Sequence, residues 1–309
     1  MHQTSGRWKY GLALSLMTAL MWGTLAIALK MLLVYMDPYS ITWYRMLVAA
    51  VILGCILALK GQFPDWRKLK GKTGLLIAIA TLALTGNFVF YLISLDFISP
   101  GVAQVVIQLA PVFLLTGGVL VFGESFNRTQ FVGLIVLVAG MLLFMNQRLQ
   151  DLFSKMDDYS IGVVIMIVAA IVWSIYALIQ KQLLKELRSE SILFWVYLGS
   201  ALVLIPTTDV ASVESLDALG WALLAFACLN SIFAYGGFAE ALDHWEASRI
   251  SAVLTLVPLL TLGFVELIHW WFPERLASEN LNLLGYCGAL IVVTGSAITA
   301  LAGQKKVST

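Results

Sequence analysis

TALMWGTLAIALKMLL, from Thr18 to Leu33, returns halfway along the chain as AAIVWSIYALIQKQLL, from Ala169 to Leu184. At a constant offset of 151 residues, Ala19 matches Ala170, Trp22 matches Trp173, Ala26 matches Ala177 and Lys30 matches Lys181. Leu32-Leu33 fall on Leu183-Leu184, and past the next turn Ser40-Ile41 fall on Ser191-Ile192. A duplicated apolar unit marks a membrane protein assembled from two halves, the construction common among secondary transporters.

Composition agrees. Of 309 residues, 60% are hydrophobic and 12% charged, about half the charge of a soluble domain. The net charge of +1 implies no acidic or basic partner. No cluster of Lys/Arg lies outside short loops, so nucleic acid is not an expected partner. Cys55, Cys228 and Cys287 sit in apolar stretches without a CxxC and read as small buried hydrophobes. No HExxH, GxSxG or Cys/His ligand spacing is present, so neither an enzyme nor a metal or other cofactor is expected. No channel filter or charged ring is legible. The first apolar run, Gly11 to Val34, is too long for a signal peptide and lacks an A-x-A site, so it is expected to stay as a membrane helix.

A bilayer core needs about 20 apolar residues per helix. Apolar runs between polar breaks predict ten spans, at about 10–34, 40–60, 73–95, 101–122, 129–146, 160–180, 191–208, 217–241, 248–271 and 283–302. The run after Ser191 is short and ends at Pro206. With the N-terminus placed in the cytoplasm, fourteen Lys/Arg fall in inside segments, Lys305 and Lys306 among them. Only Arg148, Lys155 and Arg275 fall in outside loops. The outside loops carry acids instead, including Asp37, Asp96, Asp157, Asp209 and Asp217. The bias predicts both termini inside. Five helices per unit is an odd number, so the second half enters from the opposite side. The expected fold is therefore all-α and integral to the membrane, with ten transmembrane helices as two inverted five-helix repeats.

The repeat runs on beyond its first helix. Pro111 matches Pro258, and Leu95-Asp96 match Leu242-Asp243, both at an offset of 147. GLIVLVAG, from Gly133 to Gly140, matches GALIVVTG, from Gly288 to Gly295. With Phe122-Gly123-Glu124 after the fourth helix, the chain resembles the EamA family of the drug/metabolite transporter superfamily, over residues 10–146 and 160–302. The second half departs from the pattern at Trp270-Trp271-Phe272-Pro273-Glu274. The resemblance implies a ten-helix carrier of the inner membrane with a central cavity, in a family that exports amino acids, related metabolites or drugs and includes some importers.

Polar residues inside spans mark where a solute can bind. Gln104, Gln108 and Pro111 share one helical face, and Ser251, Thr255 and Pro258 hold the matched places. That stripe faces either a cavity or another helix. Each proline frees a mid-helix carbonyl, as a hinge, a ligand group or a plain kink. Glu266 lies about 20° around the axis from Thr255. It reads as a proton-coupling or amine-binding carboxylate sharing a proton with His269, or as a rim carboxylate beside an interfacial Trp270-Trp271 belt. Lys30 and Lys181 read as snorkelling cations at opposite faces or as partners of a substrate carboxylate. Arg45, beside Trp43 and Tyr44, reads as a headgroup anchor before an anion site at the outer mouth. Trp22, Asn87, Tyr91, Trp173, Tyr176, Asn230 and Tyr235 complete the candidate lining, with helix packing as the plainer role of each. Such a lining suits an amphipathic solute and does not suit a polyanion. Gly117-Gly118, Gly133, Gly140, Gly236-Gly237, Gly288 and Gly295 are expected at close helix contacts.

The expected function is efflux of amino acids or similar metabolites by alternating access, in the bacterial inner membrane. A proton-coupled drug or quaternary-amine exporter using Glu266, and a membrane sensor or scaffold that moves nothing, stand as alternatives. The partners expected are a small-molecule substrate and the lipid bilayer, and a monomer would suffice.

Overall fold

The computed structural model describes residues 6–123, 127–149 and 157–302. Glu124, Lys155, Lys305 and Lys306 lie outside the described residues, as do the side chains of Leu242 and Asp243. The first half holds α1 (Trp8–Leu32), α2 (Pro38–Leu59), α3 (Gly71–Phe97), α4 (Pro100–Val106), α5 (Ala110–Phe122) and α6 (Arg128–Phe144). The second holds α7 (Asp158–Leu183), α8 (Ser189–Leu204), α9 (Ala218–His244), α10 (Ala247–Leu254), α11 (Val257–Trp271) and α12 (Leu283–Ala302). Counting α4–α5 and α10–α11 as one crossing each, nine described stretches are long and apolar enough to span a bilayer, and the shorter apolar α6 makes the tenth.

Two crossings expected to be continuous are broken. The fourth leaves α-geometry in a 3-10 turn at Ile107–Leu109, and the ninth breaks at Thr255-Leu256. Both breaks lie just before the matched prolines, Pro111 and Pro258. Proline has no N–H to donate, and its ring collides with the carbonyl four residues back. Both half-helices survive because neighbouring helices surround the break.

Helix starts differ systematically between the two ends of the bundle. At one end α2 is capped by Asp37, α4 by Ser99, α7 by Asp157 and α9 by Asp217, each through its side chain. Asn282 likewise accepts from the Gly285 N–H at the start of α12. At the other end, the residues preceding α1, α3 and α8 are Arg7, Lys70 and Arg188, with no side-chain cap. Asn127 on α6, with its capping box, and the acidic Glu246 before α10, which makes no side-chain cap, are the exceptions there. Three of the acids in the loops read as outside are thus caps, which occupy orphan N–H groups and offset the helix dipole.

The halves exchange partners. α1 packs on α9 and α7 on α3; α1 also meets α11, and α7 meets α5. α2 faces its own counterpart α8, and α6 faces α12. This reciprocity is what a two-fold axis between the halves requires. Counterpart helices run in opposite senses, so the axis lies in the membrane plane.

The α6–α12 seam is built on the matched glycines. A Cβ on Gly140 would stand 2.5 Å from the Val292 nitrogen, and one on Gly288 would stand 2.8 Å from the Gly140 oxygen. One on Gly295 would stand 2.7 Å from the Gly133 oxygen. Backbone meets backbone at each point, the close approach that small residues permit. Gly117 meets the Leu178 side chain, and Gly237 meets the flexible end of Met17. Gly236 differs from expectation, since nothing lies within 4 Å of a Cβ there.

Candidate functional site

Asp37 and Pro38 fix the start of α2, with Asp37 Oδ1 accepting from the Tyr39 and Ser40 N–H groups. Arg45 follows seven residues later, about 10 Å along the axis. It shares a face with Ile41 and Ala49 at four-residue spacing, and all three are buried. Only 1% of Arg45 is exposed. The headgroup-anchor reading is therefore corrected: α2 is rotated so that this side chain enters the bundle.

Inside, the guanidinium carbon lies 4.8 Å from the centre of the Phe88 ring on α3. Its Nη2 donates to the Ser231 hydroxyl at 3.3 Å, at the midpoint of α9. Its Nε has no hydrogen-bond partner among the described residues. Tyr91 of α3, Tyr197 of α8, and Tyr235 and Cys228 of α9 are within electrostatic reach. The buried Tyr91 hydroxyl also lacks a partner. Tyr176 of α7 is within electrostatic reach of Tyr197 and Tyr235. No carboxylate forms an ion pair with Arg45 among the described residues. Helices from both halves thus surround one cation with phenol rings and a single neutral acceptor.

Trp22 extends this group along α1. Its ring meets Tyr235 edge-on at 5.5 Å and Phe238 at 6.1 Å. Gln104 of α4 donates to the Trp22 carbonyl at 3.3 Å. The structure therefore brings together Trp22, Tyr91, Gln104, Tyr176 and Tyr235 of the sequence-selected residues. Arg45, Tyr197 and Phe88 join them. The two tyrosine and phenylalanine positions carried no signal, because an aromatic in an apolar run looks like core.

Other candidates lie elsewhere. Asn87 donates to the Ala169 carbonyl at 2.9 Å in the α3–α7 seam. Asn230 donates to the Met21 carbonyl at 2.7 Å in the α1–α9 seam. These seams are symmetry counterparts, so each half has an amide staple, displaced by one helical turn. Thr255 donates to the Ala252 carbonyl at 2.7 Å, on its own helix. Gln108, Trp173 and Ser251 are half-buried. Asn87→Ala and Asn230→Ala should each cost about 0.6 kcal/mol, and at most about 1.7, the range for hydrogen bonds between membrane helices. Thermal unfolding in detergent, run beside a flux assay, checks this. A tenfold flux loss at unchanged stability would move either amide into the transport site.

Glu266 and His269 belong to a different place. The Ser278 hydroxyl donates to Glu266 at 2.9 Å, and the Glu279 N–H donates at 3.1 Å. His269 Nδ1 pairs with the Leu276 carbonyl at 2.8 Å rather than with Glu266. The carboxylate of Glu279 accepts from the Ser99 hydroxyl and, at 2.7 Å, from the Gly101 N–H. The segment 272–282 thereby clasps α11 and the start of α4 together. Lys30, in the same region, donates to the Leu95 carbonyl at the end of α3, where a cation suits the helix dipole. Lys181 instead lies over the Phe122 ring at 5.2 Å, at the end of α5. An open cleft of about 470 Å³ lies over the helix ends, lined by Leu33 to Pro38, Asp96, Asp209 and Ser212. None of the sequence-selected site residues borders it.

Comparison with known proteins places this arrangement. Residues 9–146 and 160–301 match the EamA-like transporter family. The chain is 40% identical to the "Uncharacterized inner membrane transporter YhbE" of Escherichia coli (strain K12), over 94% of this chain and 91% of that one. It is 22% identical to the "Probable amino-acid metabolite efflux pump" of the same strain, over 91% of this chain and 92% of that one. A solved structure described as "Crystal structure of protein" superposes with a TM-score of 0.62 at 17% identity, over 96% of this chain and 98% of that one. That last likeness is one of fold.

Proposed function

The chain belongs to the EamA-like transporter family, and on that premise we propose that it exports small amphipathic metabolites, amino acids or their relatives, by alternating access. The observation that carries this reading is the exchange of partners between the halves. When α1 rides on α9 and α7 on α3, a tilt of one pair has a counterpart tilt of the other. Two shapes of nearly equal energy follow, one open to each side. The residues gathered around Arg45 and Trp22 come from both halves, so the same tilt that opens one side can close the other around them. Rings of tyrosine and tryptophan offer apolar faces with polar edges, which fits a solute that is itself amphipathic. The distant Escherichia coli relative, a probable amino-acid metabolite efflux pump, points to the same substrate class.

We place the chain in the inner membrane by likeness to the inner membrane relative, and both termini in the cytoplasm on the Lys/Arg bias of the loops. Helix caps support that orientation. Acids at helix starts are favourable on either side of a membrane, because they cap. Arg7, Lys70 and Arg188 at helix starts oppose the dipole, so local helix energetics do not place them there. Retention of positive charge on the cytoplasmic side does.

Counterflow in proteoliposomes tests the function. Purified protein preloaded with unlabelled leucine or phenylalanine should accumulate the labelled amino acid transiently, at least tenfold above protein-free vesicles. Absence of flux across an aliphatic and aromatic amino-acid panel would reject this substrate class.

A further inference from the structure

We propose that Arg45 is the carboxylate-binding group of the translocation site, pairing with the substrate's anionic end while the aromatic ring of residues holds its apolar part. The inference rests on the transport reading above and names a chemistry within it. Three observations carry it.

First, the guanidinium is sealed in the bundle and unneutralised. Its contacts are a hydroxyl and a ring face. Charges held among membrane helices pair, coordinate or line a solute path, because each is costly to leave alone. The other buried cation contacts have visible structural roles, as when Lys30 caps a helix end. Arg45 has none of comparable strength.

Second, the unmet hydrogen-bonding capacity is concentrated here. Three buried side-chain atoms lack a partner among the described residues: Arg45 Nε, Tyr91 Oη and Asn230 Oδ1. Two of the three belong to this one group, a guanidinium N–H and a phenol hydroxyl within electrostatic reach of each other. A buried donor without an acceptor is destabilising until something supplies one. A carboxylate accepts through two oxygens and matches the guanidinium fork.

Third, the count of cations is right for one carboxylate and wrong for a polyanion. Among the described residues, Arg45 is the one basic side chain that is fully buried. Phosphate esters and sugar nucleotides want several cations. The Phe88 ring, 4.8 Å from the guanidinium carbon, gives the cation a cation–π contact and leaves its N–H groups free of any carboxylate among the described residues.

The same chemistry explains the location. Arg45 reaches the midpoint of α9 from α2, and its neighbours come from α3, α8 and α9. A counterion placed there touches elements of both halves. Sealed in this conformation, the site must be exposed to each side in turn by the rocking of the halves.

The test compares carboxylates with their amides in the reconstituted full chain. Leucine and leucinamide, and phenylalanine and phenylalaninamide, differ at the group Arg45 would hold. Wild-type protein should favour the carboxylate at least tenfold in competition for counterflow. Arg45→Met should lose leucine flux at least 100-fold while keeping its fold, judged by gel filtration. Arg45→Lys should keep part of the flux, because the charge stays and the fork is lost. Equal handling of amide and carboxylate by the wild type overturns the proposal and leaves the transport reading standing. So does a folded Arg45→Met protein that still prefers leucine. If Arg45→Met does not fold, the wild-type preference alone decides. If the wild type moves none of the four compounds, the transport reading of this substrate class fails and takes the proposal with it.

Discussion

Gly288→Leu is expected to prevent α12 from docking on α6, so that the protein no longer purifies as a single folded species. At this position a Cβ alone would stand 2.7 Å from the Phe144 Cα and 2.8 Å from the Gly140 oxygen. Both are backbone atoms, and neither can rotate away as a side-chain tip would. The helix axes must separate, and the reciprocal contacts at Gly133, Gly140 and Gly295 open with them. Gly288→Ala should already cost about 1–3 kcal/mol, the usual range for overpacking a tight contact. Gly236→Ala is the control. Nothing lies within 4 Å of its Cβ, so relief of the glycine helix penalty, about 0.5–1 kcal/mol, should make it neutral or slightly stabilising. Gel filtration and thermal unfolding in detergent read both effects. A Gly288→Leu protein as stable as the wild type would refute the zipper.

The second large effect concerns the clasp formed by segment 272–282. Glu279→Ala removes the acceptor for the Ser99 hydroxyl and the Gly101 N–H at the start of α4. Loss of such a cap costs about 0.5–2 kcal/mol. The consequence should also depend on pH. Burial is the main influence on the Glu279 carboxyl and raises its pKa above the ordinary 4.5, although the two hydrogen bonds pull the other way. A carboxyl with a raised pKa in the folded state holds its proton more tightly there than when unfolded. Its contribution to stability is full below the unfolded value and falls as pH rises through the folded value. The wild type should thus lose some thermal stability as pH climbs above 4.5. Glu279→Gln, which keeps an acceptor and cannot ionise, should flatten that slope. Glu279→Ala should be less stable than either at acidic pH. Melting curves across pH 4 to 8 decide it, and an unchanged slope in Glu279→Gln would remove Glu279 from the clasp's pH response.

Much of the architecture was legible because it is written locally. Apolar run length sets the crossings, and Pro206 ends the seventh where the sequence indicates, in a 3-10 turn at Ile205–Thr207. Repeated glycines at Gly133, Gly140, Gly288 and Gly295 announce a close seam, since small residues let helix backbones approach. The breaks before Pro111 and Pro258 were foreseeable as kinks, but their extent was not, because it depends on how the neighbours fill the gap.

The site was legible only in part. Trp22, Tyr91, Gln104, Tyr176 and Tyr235 were selected as polar or amphipathic residues inside spans, and they do gather near one another. Asn87 and Asn230 satisfy the same rule and lie in the seams, because an amide inside a membrane serves equally well as a helix staple. Glu266 reads from sequence as a charge deep in a helix. Residues twelve and thirteen positions later fold back to receive it, which hydropathy along one helix does not register.

The sequence by itself determined the number of crossings, their order, the duplication and its inversion, because those follow from composition, period and the parity of five. It placed Arg45 and Glu266 at depths along their helices and could do no more. Which way each side chain faces is an azimuth, fixed by the rotation of a helix against partners far away in the chain. Packing of α2 among α3, α8 and α9 turns Arg45 inward, and the return of segment 272–282 takes up Glu266. Only the tertiary structure decided that, of these two, the arginine is the one left with an unmet hydrogen-bonding atom among the described residues, because pairing is settled by neighbours in space.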